Sequence, residues 1–362
     1  PWGDEDKSFM KIIGANNTPV VWRDISQDTV KSRLEKFMDP QEYFKLRDNI
    51  YADFNYMHTN DLGCIEFSGR YPNNILEETN NYSIVAGVIA RTYDYDVIHA
   101  HDWLTYPAGL HAKSVSGKPM VIHVHATEFD RSRGKPNPVV YGIEKDGMDK
   151  CDHIICVSDL TRKTVIDYYH QPYWKVTTVH NAVSPLSPEI EAIERISGVP
   201  EKVVTFLGRI TMQKGPEFFV DAATQVIKKT DHIRFVMAGS GGIAHKFHFT
   251  GFLRGKQVYE MLKSSDVYVM PSVSEPFGIS PLEAMQCGVP SIISYQSGCS
   301  EILHNVIKTD YWDVDGMADA IYSICTYPAM ASHLKVEGKI EVDNIKWEDA
   351  GLKVRKIYDN LV

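Results

Sequence analysis

Two glutamates, Glu275 and Glu283, stand eight positions apart in the stretch "SEPFGISPLE". Glu275 follows the apolar run "VYVMPS", so it sits where a parallel strand ends and where α/β sheets gather ligands. Behind it Phe277, Gly278 and Ile279 lead into a helix, whose first N–H groups and positive dipole end favour an anion. Glu283 has a purely local reading. Ser280-Pro281-Leu282-Glu283 fits a capping box, with Ser at N-cap, Pro at N1 and Glu at N3. Gly288 then suits the C′ position, and Pro290 blocks continuation.

A complementary charge follows another predicted strand. In "FLGRITMQKGPEFF" Arg209 and Lys214 precede a helix with Pro216 at N1. A guanidinium fork plus a compact ammonium suits a diphosphate; two solvated loop cations are the plainer alternative. A third cluster is imidazole-rich: His99 and His101 in "VIHAHDW", His123 and His125 in "VIHVHATEFD", and His180 in "TVHNAV". Strand alternation puts each His-x-His pair on one face, where two imidazoles could grip a metal with Asp102 or Glu128 as further ligands. The plainer reading is hydrogen-bonded core histidines. "GSGG" at 239–242 carries no following Lys-Ser/Thr and is not a P-loop.

The elements that must position these groups are legible from residue 78 onward. "EETNNYSIVAGVIART", "AGLHAKSV", "VYGIEKDGMDK" and "DLTRKTVIDYYH" read as helices feeding the strands "DVIHAH", "MVIHVH", "HIICVS" and "KVTTVHN". After the Pro- and Ser-rich "AVSPLSPEIEAIERISGVP" the rhythm restarts: "VVTFLG", "RFVMAG", "DVYVMPS" and "SIIS" as strands, with helices between. Short apolar runs alternating with helices predict parallel βαβ units. The expected organisation is a Rossmann-like domain over residues 1–182 and a linker over 183–200. A second Rossmann-like domain over 201–342 follows, then a C-terminal helix over 343–362 that returns to the first domain. In the first 75 residues "SFMKIIG" and "TPVVW" read as short strands, and "DTVKSRLEKFMD" and "PQEYFKLRDNIYADFNYM" as helices. One join is anomalous. The residues between "RFVMAG" and "FHFTG" are fewer than the ~10–12 that a βαβ crossover needs, so residues are expected to be absent there.

Composition narrows the class. The 362 residues are 43% hydrophobic and 23% charged, enough for buried cores. No apolar run approaches the ~20 residues of a membrane-spanning helix. A net charge of −9 argues against nucleic-acid backbone binding. Six cysteines without a CxxC pair fit a reducing cytoplasm rather than a disulfide framework.

Taken together, "EPFGISPLE" with its Glu-x7-Glu spacing, "FLGRITMQKG", "VIHAHDW", "VHATEFD", "VHNAV", "SGCSEIL" and "WDVDGMADAI" resemble the retaining family 4 glycosyltransferases. That family includes the bacterial glycogen and starch synthases, and the resemblance runs from about residue 95 to the C-terminus. It implies the GT-B fold, two doubly wound Rossmann-like α/β domains facing across a cleft. It also implies transfer of a hexose, glucose here, from a UDP- or ADP-sugar to a glycan such as an α-glucan, with no metal and no resident cofactor. By the same likeness Arg209 and Lys214 would neutralise the diphosphate. Glu275, with the backbone of Phe277, Gly278 and Ile279, would hold the sugar and phosphate, and Glu283 would bind the ribose hydroxyls. His125 and Asn181 would face the sugar, Asp102 the acceptor side, and Gly251 and Phe252 would line the base pocket. Two departures stand out. Asn181-Ala182-Val183-Ser184 replaces the family's Asn-Gly-Val-Asp, and no Gly-rich loop opens the chain. A metal-dependent hydrolase and a non-catalytic nucleotide- or sugar-binding relative are the alternatives.

Overall fold

The computed structural model describes residues 11–20, 60, 62–67, 75–195, 199–238, 247–251 and 253–362. The helices expected over 28–57 lie outside these, as do the join at 239–246 and Phe252. The strand expected in "TPVVW" leaves, among the described residues, one antiparallel bridge between Pro19 and Cys64.

From residue 75 the alternation is as the periodicity predicts. Helix α1 (Ile75–Thr92) leads to β1 (Ile98–His101), α2 (Tyr106–Ser116) to β2 (Met120–Val124), then α3 (Glu128–Arg131) and α4 (Pro138–Lys150) to β3 (His153–Cys156). Helix α5 (Asp159–Tyr169) feeds β4 (Val176–Thr178), and α6 (Pro188–Glu191) follows. These strands form a four-stranded sheet in the order β1-β2-β3-β4. The second series is β5 (Lys202–Leu207), α7 (Pro216–Lys229), β6 (Ile233–Ala238), β7 (Phe247–Phe249), α8 (Lys256–Lys263), β8 (Val267–Met270), α9 (Ile279–Gln286), β9 (Ser291–Ser294) and β10 (Ile307–Thr309). Helices α10 (Val314–Thr326), α11 (Pro328–Asp343) and α12 (Trp347–Asp359) close the chain.

The second sheet is six-stranded in the order β10-β9-β8-β5-β6-β7, with β5 parallel to both β6 and β8. The chain therefore builds outward from β5 in one direction, then returns to add β8, β9 and β10 on its other side. The β5/β8 junction is the topological switch point, outside whose carboxyl ends ligands bind. Both faces of this sheet are covered. Val267 and Val269 of β8 pack into one cluster with Phe206, Phe219, Phe235 and Ile321, while Tyr268 and Met270 pack into another with Leu262, Leu282 and Met285. Period-2 alternation with apolar residues on both faces is why "VYVM" reads as a continuous apolar run.

Contacts group the chain into two compact units, residues 1–124 with 137–154 and 360–362, and residues 125–136 with 155–359. Every described strand of the four-stranded sheet precedes residue 183, and every strand of the six-stranded sheet follows residue 200. The six cysteines are free thiols. Among the described residues no helix is long and apolar enough to cross a membrane.

One local expectation is corrected. Helix α9 begins at Ile279 with Gly278 as its N-cap, at φ +93, so Ser280 is not the cap and Glu283 is not N3. The Ser280 hydroxyl is instead taken by the Tyr268 hydroxyl beneath it, at 2.8 Å. Pro281 still falls in the first turn, where its missing N–H costs nothing. The helix ends as expected, with Gly288 at φ +71 and its N–H on the Met285 carbonyl at 2.9 Å.

Candidate active site

The loops after β5 and β8 meet at the switch point. Gly215, at φ +60, caps α7, and a Cβ there would lie 2.3 Å from the Pro271 carbonyl oxygen. No side chain fits between the two turns, and the left-handed conformation itself favours glycine. This approach brings Lys214 Nζ onto Glu275 Oε2 in an ion pair, with side chains only 19% and 10% exposed. Ser272 Oγ also donates to Glu275 Oε2, at 3.4 Å. Gln213 ties the loops beside the pair: its amide donates to the Ser274 carbonyl at 3.0 Å, and its carbonyl accepts from Val273 N at 2.9 Å.

The backbone behind Glu275 is clasped from the other side. Gly298 N donates to the Glu275 carbonyl at 2.9 Å and Cys299 N to the Phe277 carbonyl at 2.7 Å. Phe277 is buried, a Cβ on Gly278 would lie 3.1 Å from the Glu275 side chain, and Ile279 is exposed at the helix start. The N–H groups of a helix's first turn have no intrahelical acceptor, so this loop carries unused donors and a partial positive charge.

One turn further on, Glu283 lines a cavity of about 380 Å³ with Ile279, Tyr259, Trp347 and residues 182–187. Burial pushes the Glu283 carboxyl above its ordinary value, partly opposed by a hydrogen bond from Tyr259. Burial, then the Glu283 carboxylate, push the Tyr259 hydroxyl up to about 12, so it stays a proton donor.

The sequence motif "HATEFD" forms a small buried hub. Thr127 N and Oγ1 both donate to Asp130 Oδ2, at 2.7 and 2.8 Å, and Ser274 Oγ donates to Asp130 Oδ1 at 2.6 Å. Arg133 adds a second tie: its Nε donates to the Met212 carbonyl at 2.7 Å and its Nη2 pairs with Glu217 at 2.5 Å. Residues 125–136 are thus anchored to both loops that carry Lys214 and Glu275.

The expected site residues divide accordingly. Lys214, Glu275, Phe277, Gly278 and Ile279 come together at the switch point, with Glu283 on the same helix. Arg209 is exposed, and its guanidinium has no hydrogen-bond or ion-pair partner among the described residues. His125 and Asn181 are half-buried at the ends of their segments. Gly251 follows β7 at φ +73. Asp102, at φ +59, belongs to the other compact unit. Ser274, Asp130, Arg133, Glu301 and Tyr259 were not anticipated. Of these, Asp130 had a capping-box spacing from Thr127 as its signal, and Glu301 lay within the "SGCSEIL" motif.

The metal alternative finds its imidazoles but not its geometry. His99, His101 and His123 share a face with their ring nitrogens within 4.8 Å of one another. The rings of His99 and His101 stack at 4.4 Å with planes 12° apart, and His123 lies 5.3 Å from His99 at 16°. Near-parallel rings aim their lone pairs side by side, whereas a tetrahedral ion needs them to converge at about 2.0–2.1 Å. Asp102 and Glu128 are not in this group.

A parallel six-stranded sheet with a 3-2-1-4-5-6 strand pattern and an anion-ready switch point is a nucleotide-binding architecture. Residues 73–185 match the family described as Glycosyltransferase Family 4, and residues 201–326 the one described as Glycosyl transferases group 1. The chain belongs to these glycosyltransferases, as its motifs implied, and has the GT-B fold. It is 33% identical over 239 residues to an uncharacterised glycosyltransferase of Methanocaldococcus jannaschii, an alignment covering 59% of this chain and 61% of that protein. The match therefore spans less than two thirds of that relative's length. Sucrose-phosphate synthase from Thermosynechococcus elongatus superposes with a TM-score of 0.68 at 17% identity, covering 84% of this chain and 82% of that one. The Anabaena HepE protein in complex with UDP-glucose superposes with a TM-score of 0.64 at 17% identity, covering 76% and 82%. At such identities the superpositions establish the fold alone.

Proposed function

We propose that the protein is a retaining hexosyltransferase that moves glucose from a UDP- or ADP-sugar to a glycan acceptor, such as an α-glucan, without a metal. The observation that carries this reading is the Lys214–Glu275 pair at the β5/β8 switch point, directly before the start of α9. The two charges compensate one another. A diphosphate entering there would draw Lys214 away, leaving Glu275 to accept from sugar hydroxyls. Arg209, exposed nearby in sequence, supplies a second cation, and the N–H groups at Gly278 and Ile279 supply neutral donors. Glu283, in its cavity with Tyr259, accepts from the ribose diol. His125 and Asn181 are assigned to the sugar, Asp102 to the acceptor side and Gly251 to the base.

In the transfer, the bond from the anomeric carbon to the diphosphate oxygen breaks and one to the acceptor oxygen forms. The departing phosphate takes the acceptor's hydroxyl proton. Charge accumulates on the diphosphate in the transition state, which is where preorganised cations and N–H groups lower a barrier. Retention then follows from attack on the face that the leaving group vacates. The family resemblance and a superposable UDP-glucose complex support a nucleoside-diphosphate glucose as the sugar donor.

The test is nucleoside diphosphate release from UDP-glucose and ADP-glucose, with and without glycogen, in EDTA. Acceptor-dependent release that survives chelation, and a product of retained anomeric configuration by NMR, are expected. Lys214→Ala should lose ~10²–10³ in kcat. An inverted product, chelator-sensitive activity or a fully active Lys214→Ala overturns the mechanism. Binding of either diphosphate without turnover favours the non-catalytic relative.

A further inference from the structure

The motif "SGCSEIL" has so far only clasped backbone, yet its glutamate engages two backbone N–H groups and an imidazole at once. Glu301 Oε2 lies 2.7 Å from His180 Nε2 and accepts from Asp159 N at 2.9 Å, while Oε1 accepts from Leu160 N at 2.8 Å. The next N–H of α5, at Thr161, is already taken by the Ser158 hydroxyl at 3.0 Å. The His180 ring lies 6.2 Å, centroid to centroid, from Phe277, and His180 directly precedes Asn181. The turn that bears Glu301 is itself closely packed against the Glu275 loop. Gly298 and Cys299 bond the carbonyls of Glu275 and Phe277, and a Cβ on Gly298 would come within 2.2 Å of the Pro276 oxygen and 2.4 Å of Ser158 Cβ.

We propose that Glu301 is a positioning residue for the transfer reaction, acting through His180. It transmits the location of the Glu275 loop to the His180-Asn181 strand end, so that Asn181 and Glu275 address the same sugar. A carboxylate is suited to this because it accepts from two helix N–H groups and an imidazole at once, and its charge favours the positive end of α5. It also requires a proton on His180 Nε2, which sets the ring's orientation. Asp159, His180 and Glu301 have ligand atoms close enough for a metal ion, but protein donors already occupy both Glu301 oxygens, so the cluster is complete as a latch. The inference rests on the glycosyltransferase reading above.

The experiment is a double-mutant cycle on nucleoside diphosphate release, with melting temperatures measured alongside. Glu301→Gln and His180→Ala should each lower kcat/KM about tenfold, mainly in kcat, and the double variant should lose no more than about twofold further, because coupled residues are non-additive. Additive losses, or a lowered melting temperature with kcat intact, would show that Glu301 is only a helix cap and overturn the proposal while leaving the transferase reading standing. A wild-type protein that releases nucleoside diphosphate from no sugar donor overturns that reading, and the positioning role with it.

Discussion

Lys214 and Glu275 show how a site holds opposite charges ready without strain. Each neutralises the other in a poorly solvated setting, where an unpaired charge would be costly. Glu283 is different, because no cation pairs with it among the described residues. Its burial raises the folded-state carboxyl pKa above the unfolded value near 4.5. The folded protein therefore binds this proton more tightly than the unfolded chain. Stability from this group is present below the unfolded value and is lost as pH rises through the folded value. Replacing it by Gln, which carries no charge at any pH, should remove that loss. The melting temperature of Glu283→Gln relative to wild type should climb between pH 4 and neutrality. A constant difference across that range would mean that Glu283 is fully solvated or paired. The Glu-x7-Glu spacing made both carboxylates conspicuous in the sequence, but their unlike environments come from what packs around them.

At the scale of elements, the site depends on a turn that only glycine allows. Gly215 has both a left-handed backbone and a neighbouring carbonyl where a Cβ would be. Gly215→Ala should cost at least about 1–3 kcal/mol in a denaturant titration, as strain at such a position does, and should lower kcat by displacing Lys214. A variant of unchanged stability would mean that the turn can rearrange. The capping box read at Ser280–Glu283 shows where local pattern misleads. The four residues satisfy the motif, but Tyr268 on β8 claims the serine hydroxyl and the chain turns at Gly278 instead. A cap motif records what the backbone could do alone; the strand beneath decided what it does. Asp130 illustrates the reverse case. Its spacing from Thr127 was a genuine cap signal, and tertiary packing gave the same carboxylate a further partner in Ser274.

At the scale of the whole molecule, binding energy and folding energy are linked. A nucleoside diphosphate bound as proposed, by Lys214, Glu283 and the α9 terminus, would stabilise the folded chain by about 2.7 kcal/mol at a hundredfold excess over Kd. A thermal-shift series should therefore show a concentration-dependent rise with UDP or ADP, and the larger rise identifies the base; no shift with either would remove the nucleotide site. The sequence by itself determined the alternation of strands and helices, the restart after residue 200, the positions of Pro216 and Gly288 at helix ends, and the family. Those features arise from contacts two to four residues apart, which periodicity and capping report directly. The tertiary structure alone decided that β8 returns to the free side of β5, and hence that Lys214 meets Glu275. It likewise decided that Glu301 reaches His180 across 121 positions of chain. Strand order and long-range hydrogen bonds are choices among many pairings of similar local quality, settled by burying both faces of the sheet at once.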